Sequence, residues 1–269
     1  PNHAANQSPE LFIRHGKQLY MDPGNPQSIR YISTIVRDIV QRYDIDAIHF
    51  DDYFYPYPQA GLEFDDEESF SRYGLTAGYR PEQKNEWRRE NGIYRNEASS
   101  REGSKTSGLQ TYDDLHADVL HWVRKGWVDY IVPQIYWNIG HQAADYAELT
   151  HWWGKHTPQK KAQLYIGQHA ARTMDGGQLE EKLALSRRNS SGNSWWSGED
   201  LVKNYKGLGD SLITSYQTYR ALLPEVHGAL GKTKAPAAIS LILEDTNEDG
   251  HMILWDDYRE PSDPETAFY

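Results

Sequence analysis

The chain has 269 residues, 38% of them hydrophobic and 25% charged, which fits one large α/β domain or a barrel-sized domain with a small appendage. A formal net charge of -11 without a Lys/Arg cluster argues against a nucleic-acid partner, and no apolar run approaches the roughly 20 residues that cross a bilayer. The absence of cysteine excludes disulfides, thiolate zinc sites and a cysteine nucleophile.

The first apolar run, Gln18 to Met21, ends at Asp22-Pro23-Gly24-Asn25-Pro26, which is strand followed by turn chemistry. From Ser28 to Tyr43 the residues Ile29, Ile32, Ile35, Val36, Ile39 and Val40 recur at helical spacing. Ile45 to Phe50 then reads as a strand ending at Asp51. Strand, helix and strand together predict a right-handed βαβ unit with parallel strands.

The pattern repeats downstream. Tyr112 to Lys125 predicts a helix, Val128 to Tyr136 a buried strand weakened by Pro133, and Asp145 to Lys155 another helix. Ala162 to Gly167 is a further strand, Gln178 to Arg188 a helix, and Leu201 to Tyr219 a last helical stretch. Repeated βα units of this length predict a TIM-type (β/α)8 barrel or a doubly wound sheet. After Pro224 the pattern becomes a β-hairpin, with apolar runs at Ile239 to Leu243 and Met252 to Trp255. We therefore expect a barrel-like domain over 1–227 and the opening of a small β-sandwich over 228–269.

In parallel α/β folds the loops after the carboxyl ends of the strands converge on the active site. Those positions hold Asp22 and Asn25, then His49, Asp51 and Asp52, then Gln134, Tyr136 and Trp137, and finally Gln168 and His169. The set combines carboxylates, amides and aromatic rings, and offers neither a phosphate cradle nor a metal-ligand cluster. Glycosidic cleavage needs that mixture: one carboxyl group to protonate the leaving oxygen and a second to act as nucleophile or base. His49 and Asp51, two apart in a strand, would share one face. Nine Trp and nineteen Tyr raise the aromatic fraction to 13%, and such rings stack on sugar faces, although each could equally fill a core.

Asp51 is the first candidate for nucleophile or base, and Asp52 for its partner, with Asp22 as the second candidate for that partner. Asp22, Asn25, His49, Tyr53, Gln134, Tyr136, Trp137 and Gln168 are the candidates for binding the sugar. No cofactor or metal is expected. Asp245, Asn247, Asp249 and Gly250 match half of a calcium loop, but the strand that follows makes them an acidic hairpin tip.

The strings LYMDPGNP, IHFDDYFYPYP, GIYRN, SGLQTYDDL and GWVDYIVPQIYWNIG, in this order over Lys17 to Pro224, resemble the glycosyl hydrolase-like family ten of bacterial envelope proteins. The resemblance implies a barrel that cleaves a polysaccharide, such as peptidoglycan glycan strands lacking stem peptides. It implies a location in the periplasm or at the outer membrane, with a leader or lipid anchor ahead of residue 1. Asp46 to Asp51 is also similar to the α-amylase-type strand whose last Asp is the nucleophile, which implies that role for Asp51. The C-terminal hairpin is similar to a fibronectin type III-like domain. One departure is that WRREN runs directly into Gly92, where the family pattern carries a further strand, so a βα unit is expected to be missing at the Asn91/Gly92 join. A catalytically silent glycan-binding protein and a transglycosylase are the competing expectations.

Overall fold

The computed structural model describes residues 3–52, 55–91, 103–158, 161–219, 241–245 and 251–255. Two compact units divide the chain, Pro1–Glu225 and Val226–Tyr269. Tyr53, Gly92 with the expected gap beside it, and the acidic tip after Asp245 lie outside the described residues.

The first unit opens with an antiparallel hairpin of β1 (Phe12–His15) and β2 (Gln18–Met21), in register Phe12↔Met21 to His15↔Gln18. Gly16, with φ of 60°, supplies the left-handed conformation that a two-residue turn requires. This corrects the βαβ expectation: the Gln18–Met21 strand is real, but its partner is an adjacent antiparallel strand. The mixed run FIRH gave no alternating signal for that partner.

Helix α1 (Pro26–Arg42) follows, capped by Asn25, whose side chain accepts from Gln27 N at 2.9 Å, with Pro26 in the first turn. Its apolar positions Ile29, Ile32, Ile35 and Val40 stay 41–54% exposed. Ile45–Phe50, expected as the next strand, carries no backbone ladder among the described residues. A helix face of this kind is buried only by packing against another element.

Helix α2 (Lys84–Asn91) carries Arg88, whose guanidinium grips the fully buried Asp66 with Nε–Oδ2 at 2.8 Å and Nη2–Oδ1 at 2.7 Å. Lys84 adds a third contact at 2.9 Å. Burial pushes the Asp66 carboxyl up, but the Arg88 and Lys84 contacts outweigh it and hold the group below its ordinary value.

Helix α3 (Val119–Lys125) is shorter than the Tyr112 to Lys125 expectation. Turns occupy residues 111–114, His116 has a positive φ of 51°, and Asp118 caps the true start by accepting from His121 N at 3.0 Å. Gly126 closes it in the left-handed region.

A three-stranded parallel sheet follows, with β3 (Tyr130–Ile131) beside β4 (Gln163–His169) and β4 beside β5 (Gly192–Trp196). Pro133 cuts the expected Val128 to Tyr136 strand short, because it has no N–H to give the ladder, and pairing resumes as a bridge between Gln134 and Gly167. Gly167 is required there: a Cβ would meet Pro133 O at 2.9 Å and Gln134 Cα at 3.2 Å.

Helices α4 (Tyr146–His156), α5 (Ala170–Asp175) and α6 (Leu179–Asn189) complete the repeat, and Asp145 caps α4 through Glu148 N at 2.8 Å. Val123 and Tyr146 from the helices pack with Ile131, Ile135, Leu164 and Ile166 from the sheet to form the main core. A second core joins Ala170, Leu179, Leu183, Leu208 and Leu212. The expected helix over Leu201 to Tyr219 is broken into short turns, with Asn204, Lys206 and Gly207 all at positive φ.

The second unit contains an antiparallel hairpin, β6 (Leu241–Asp245) with β7 (His251–Trp255), in register Leu241↔Trp255 to Asp245↔His251.

Candidate functional site

Alternation along β4 sorts the candidate residues. Leu164, Ile166 and Gln168 share the face that packs on the helices, and Gln163, Tyr165, Gly167 and His169 share the opposite one. Tyr130 lies on this second face, its ring 6.1 Å from that of Tyr165. In the parallel register His169 is level with Trp196, so Trp196 points the same way from the end of β5.

The segment before Asp51 lies beside β3, on the side away from β4 among the described strands. His49 Nδ1 lies 2.8 Å from the Tyr130 hydroxyl, with the two rings stacked at 14°. Two residues on, Asp51 Oδ1 accepts from Gln134 Nε2 at 3.0 Å and from the Asp52 backbone N–H at 2.8 Å. Chain order rises on both sides of these contacts, so the segment runs parallel to β3. Asp52 accepts a short hydrogen bond from the Tyr57 hydroxyl.

Tyr136 packs edge-on against His169 at 5.7 Å. Burial, followed by the charges of Asp51 and Asp52, pushes its phenol above the ordinary value, so it keeps its proton. His169 is pushed down by burial and by Arg172, which favours the neutral ring, and its Nδ1 caps α5. Trp137 is half-buried, 6.1 Å from the His141 ring. Trp196 is 59% exposed.

His49, Asp51, Asp52, Gln134 and Tyr136 are thus linked by direct contacts or by charge, with His169 beside them. Gln168 is fully buried on the helix side, where its amide donates to Asn193. Asp22 and Asn25 are buried as well. The Asp22 carboxylate accepts from Gly24 N at 2.9 Å and from the Ser69 hydroxyl, and Asn25 caps α1. Burial raises the Asp22 carboxyl above its ordinary value, against the opposing hydrogen bonds from Ser69 and Gly24.

Three residues of this surface escaped sequence reasoning. Tyr57 sits among aromatic and proline residues that each look alike in the YFYPYP run. Tyr130 is a strand interior position, and Trp196 ends a strand, GNSWW, too small and polar in its first half to be recognised. The adjacent tryptophans Trp195-Trp196 were the available signal; Trp195 is half-buried against the second core and Trp196 is exposed.

Two carboxylates, one exposed and one half-buried, are held by neutral donors beside a protonated phenol and flanking rings. Such a surface can deliver a proton to one oxygen and attack, or activate water at, the adjoining carbon. Among the described residues no cluster of three or more His, Asp or Glu is arranged to hold a metal ion.

Residues 2–182 match the family model described as Glycosyl hydrolase-like 10, a stretch that includes every candidate residue above except Trp196. Glycosyl hydrolase YngK of Bacillus subtilis (strain 168) is 34% identical over 308 aligned residues, covering 100% of this chain and 59% of that protein. Glycosyl hydrolase DigH of Escherichia coli (strain K12) is 32% identical over 200 residues, covering 62% of this chain and 44% of that protein. The chain therefore aligns with about half the length of these relatives. The first alignment is also longer than the chain, so YngK carries internal segments that this chain lacks.

Proposed function

The chain belongs to the glycosyl hydrolase-like 10 family, and from that premise we propose that it cleaves glycosidic bonds in an amino-sugar polymer such as the glycan strands of peptidoglycan. The observation that carries the reading is the Asp51 carboxylate, held by Gln134 and the Asp52 N–H beside the end of β3. Asp51 attacks the anomeric carbon, or takes a proton from the water that does so. Asp52 gives its proton to the leaving oxygen. The Tyr57 hydroxyl can accept as well as donate, so its contact with Asp52 survives either protonation state.

The remaining roles follow from position. Tyr136 donates to a sugar hydroxyl, His49 and Gln134 hold the segment that carries Asp51, and Trp137 and Trp196 stack on sugar faces. In this reading the parallel sheet is part of a TIM-type barrel, with the face that carries Tyr130, Tyr165 and His169 turned inward. The hairpin unit belongs to a fibronectin type III-like sandwich, and the protein works in the bacterial envelope, where such polymers lie.

The test is release of reducing ends from purified glycan strands by the wild type and by Asp51→Asn. The substitution keeps the shape of the side chain but removes the charge, so a loss of at least about 100-fold is expected. Wild-type turnover by that variant ends the proposal.

A further inference from the structure

Trp137 leaves the sheet on a loop that runs from Tyr136 to Asp145. At the start of that loop Ile135 N donates to Gly167 O at 2.9 Å. At its end Asp145, the cap of α4, accepts from Gly140 N as well as from Glu148 N. Between these anchors the loop is held from outside, by the turn that joins α5 to α6.

Gln178 sits half-buried in that turn, and its side chain does not cap the helix that it precedes. The amide reaches across to Ile139 instead. Its Oε1 accepts from Ile139 N at 2.9 Å, and its Nε2 donates to Ile139 O at 3.3 Å. Two bonds to both backbone groups of one residue imitate the pairing of a neighbouring strand and fix that residue in rotation as well as position. The Ile139 side chain packs against the main core, so the residue is held on both sides.

The neighbouring residue is held by the same helix pair. Lys182, one turn along α6, donates to Asn138 Oδ1 at 3.3 Å. A Cβ at Gly176 would meet Asn138 Nδ2 at 2.7 Å, so the α5–α6 turn lies directly against the loop.

Trp137 is therefore pinned two residues before, at Ile135, and two residues after, at Ile139. Water could satisfy the polar groups of a surface loop, whereas a glutamine committed at both ends of its amide gives up most of its rotamer freedom. What the arrangement gains is a fixed backbone on the far side of the Trp137 ring. A ring that must be ordered when the sugar arrives lowers affinity, and Tyr136 and Gln134 keep their own anchor on β4. The consequence falls on binding and spares the chemistry at Asp51.

We propose that Gln178 is a positioning residue, which through Ile139 holds Trp137 in the orientation that stacks on a sugar, so that a helix turn outside the carboxylate site sets affinity for the glycan. The inference rests on the glycan-cleaving reading and on the stacking role given there to Trp137. Its test is a double-mutant cycle of wild type, Gln178→Met, Trp137→Ala and the double variant, with kcat and KM measured on purified glycan strands and a thermal melt of each protein. Methionine keeps the length of the side chain and removes both bonds to Ile139.

The expected result is that each single variant raises KM at least about fivefold, that Gln178→Met changes kcat by less than about twofold, and that the double variant binds no more weakly than Trp137→Ala alone. A residue that only supports the fold would lower the melting temperature and add its effect to that of Trp137→Ala. Should Gln178→Met fail to fold, Gln178→Glu takes its place in the cycle with the same coupling expected, because it keeps the bond from Ile139 N and loses the one to Ile139 O. Additive effects, or an unchanged KM in either single variant, overturn the positioning role and leave the Asp51 reading standing. Failure of the wild type to cleave glycan strands overturns both.

Discussion

Replacing Lys182 with methionine removes a charge from the interior of the sheet-helix core. Lys182 lies on α6 with no exposed surface, and its ammonium donates to Asn138 Oδ1 at 3.3 Å and Thr173 Oγ1 at 3.2 Å while sitting 4.9 Å from the centre of the Tyr146 ring. Burial, with a smaller contribution from Arg172, lowers its pKa from 10.5 to about 8. A lowering of that size corresponds to about 3 kcal/mol by which the folded state disfavours the charged form. At pH 7 the lysine is charged in both states and this cost is present in full. Between pH 8 and 10.5 the folded protein sheds the proton while the unfolded chain keeps it, so stability rises with pH across that window by up to about 3 kcal/mol. Methionine matches the stem without the charge. It forfeits two hydrogen bonds worth about 1 kcal/mol each, so at pH 7 Lys182→Met should be neutral to about 1 kcal/mol more stable. Urea unfolding of both proteins from pH 6 to 10.5 gives the decisive comparison. The wild-type curve should climb relative to the variant above pH 8, and parallel curves would refute the reasoning. Because Asn138 follows Trp137, the variant should also loosen the loop beside the candidate site and lower turnover modestly.

Gly167→Ala should destabilise by about 1–3 kcal/mol and reduce turnover together, because the new methyl pushes the Pro133–Gln134 backbone away from β4 and withdraws Gln134 from Asp51; thermal melts and rate assays report the two effects. Arg88→Met leaves Asp66 buried without its bidentate partner and should cost about 3–5 kcal/mol at pH 7 in denaturant unfolding. Asp66 has a depressed folded pKa, so its stabilisation holds above the unfolded value near 3.8 and is lost as pH falls below it; the gap between wild type and variant should narrow there. Tyr136→Phe removes a proton donor facing two carboxylates and should lower kcat about tenfold with an unchanged melting temperature.

Much of the sheet-helix portion was legible because its signals are local. Asp145 and Gly126 act as helix caps, and Gln163 to Ile166 alternates half-buried and buried positions as a covered strand does. The misses have long-range causes. Ile45–Phe50 carries a strand pattern, but a strand needs neighbours, and its one documented side is the short edge of β3 beyond which Pro133 stops pairing. Helix α1 shows the same cause from the other side, with an apolar stripe that has the right period and little to cover it. At the site, His49 and Asp51, two apart in sequence, reach Tyr130 and Gln134 in turn, even though the ladder of the expected strand is missing. Gln168 and His169 could not be separated by position alone; only the packing of Leu164 and Ile166 against the helices shows that Gln168 turns to the helix side and His169 to the other.

Asp51→Ala, assayed on purified glycan strands with and without added azide, tests most directly whether that side chain attacks or activates the attacker. Alanine leaves room for a small anion where the carboxylate stood, so the account predicts loss of hydrolysis without azide and partial recovery with it, the recovered product carrying azide at its new end. Undiminished hydrolysis by the variant alone would contradict it.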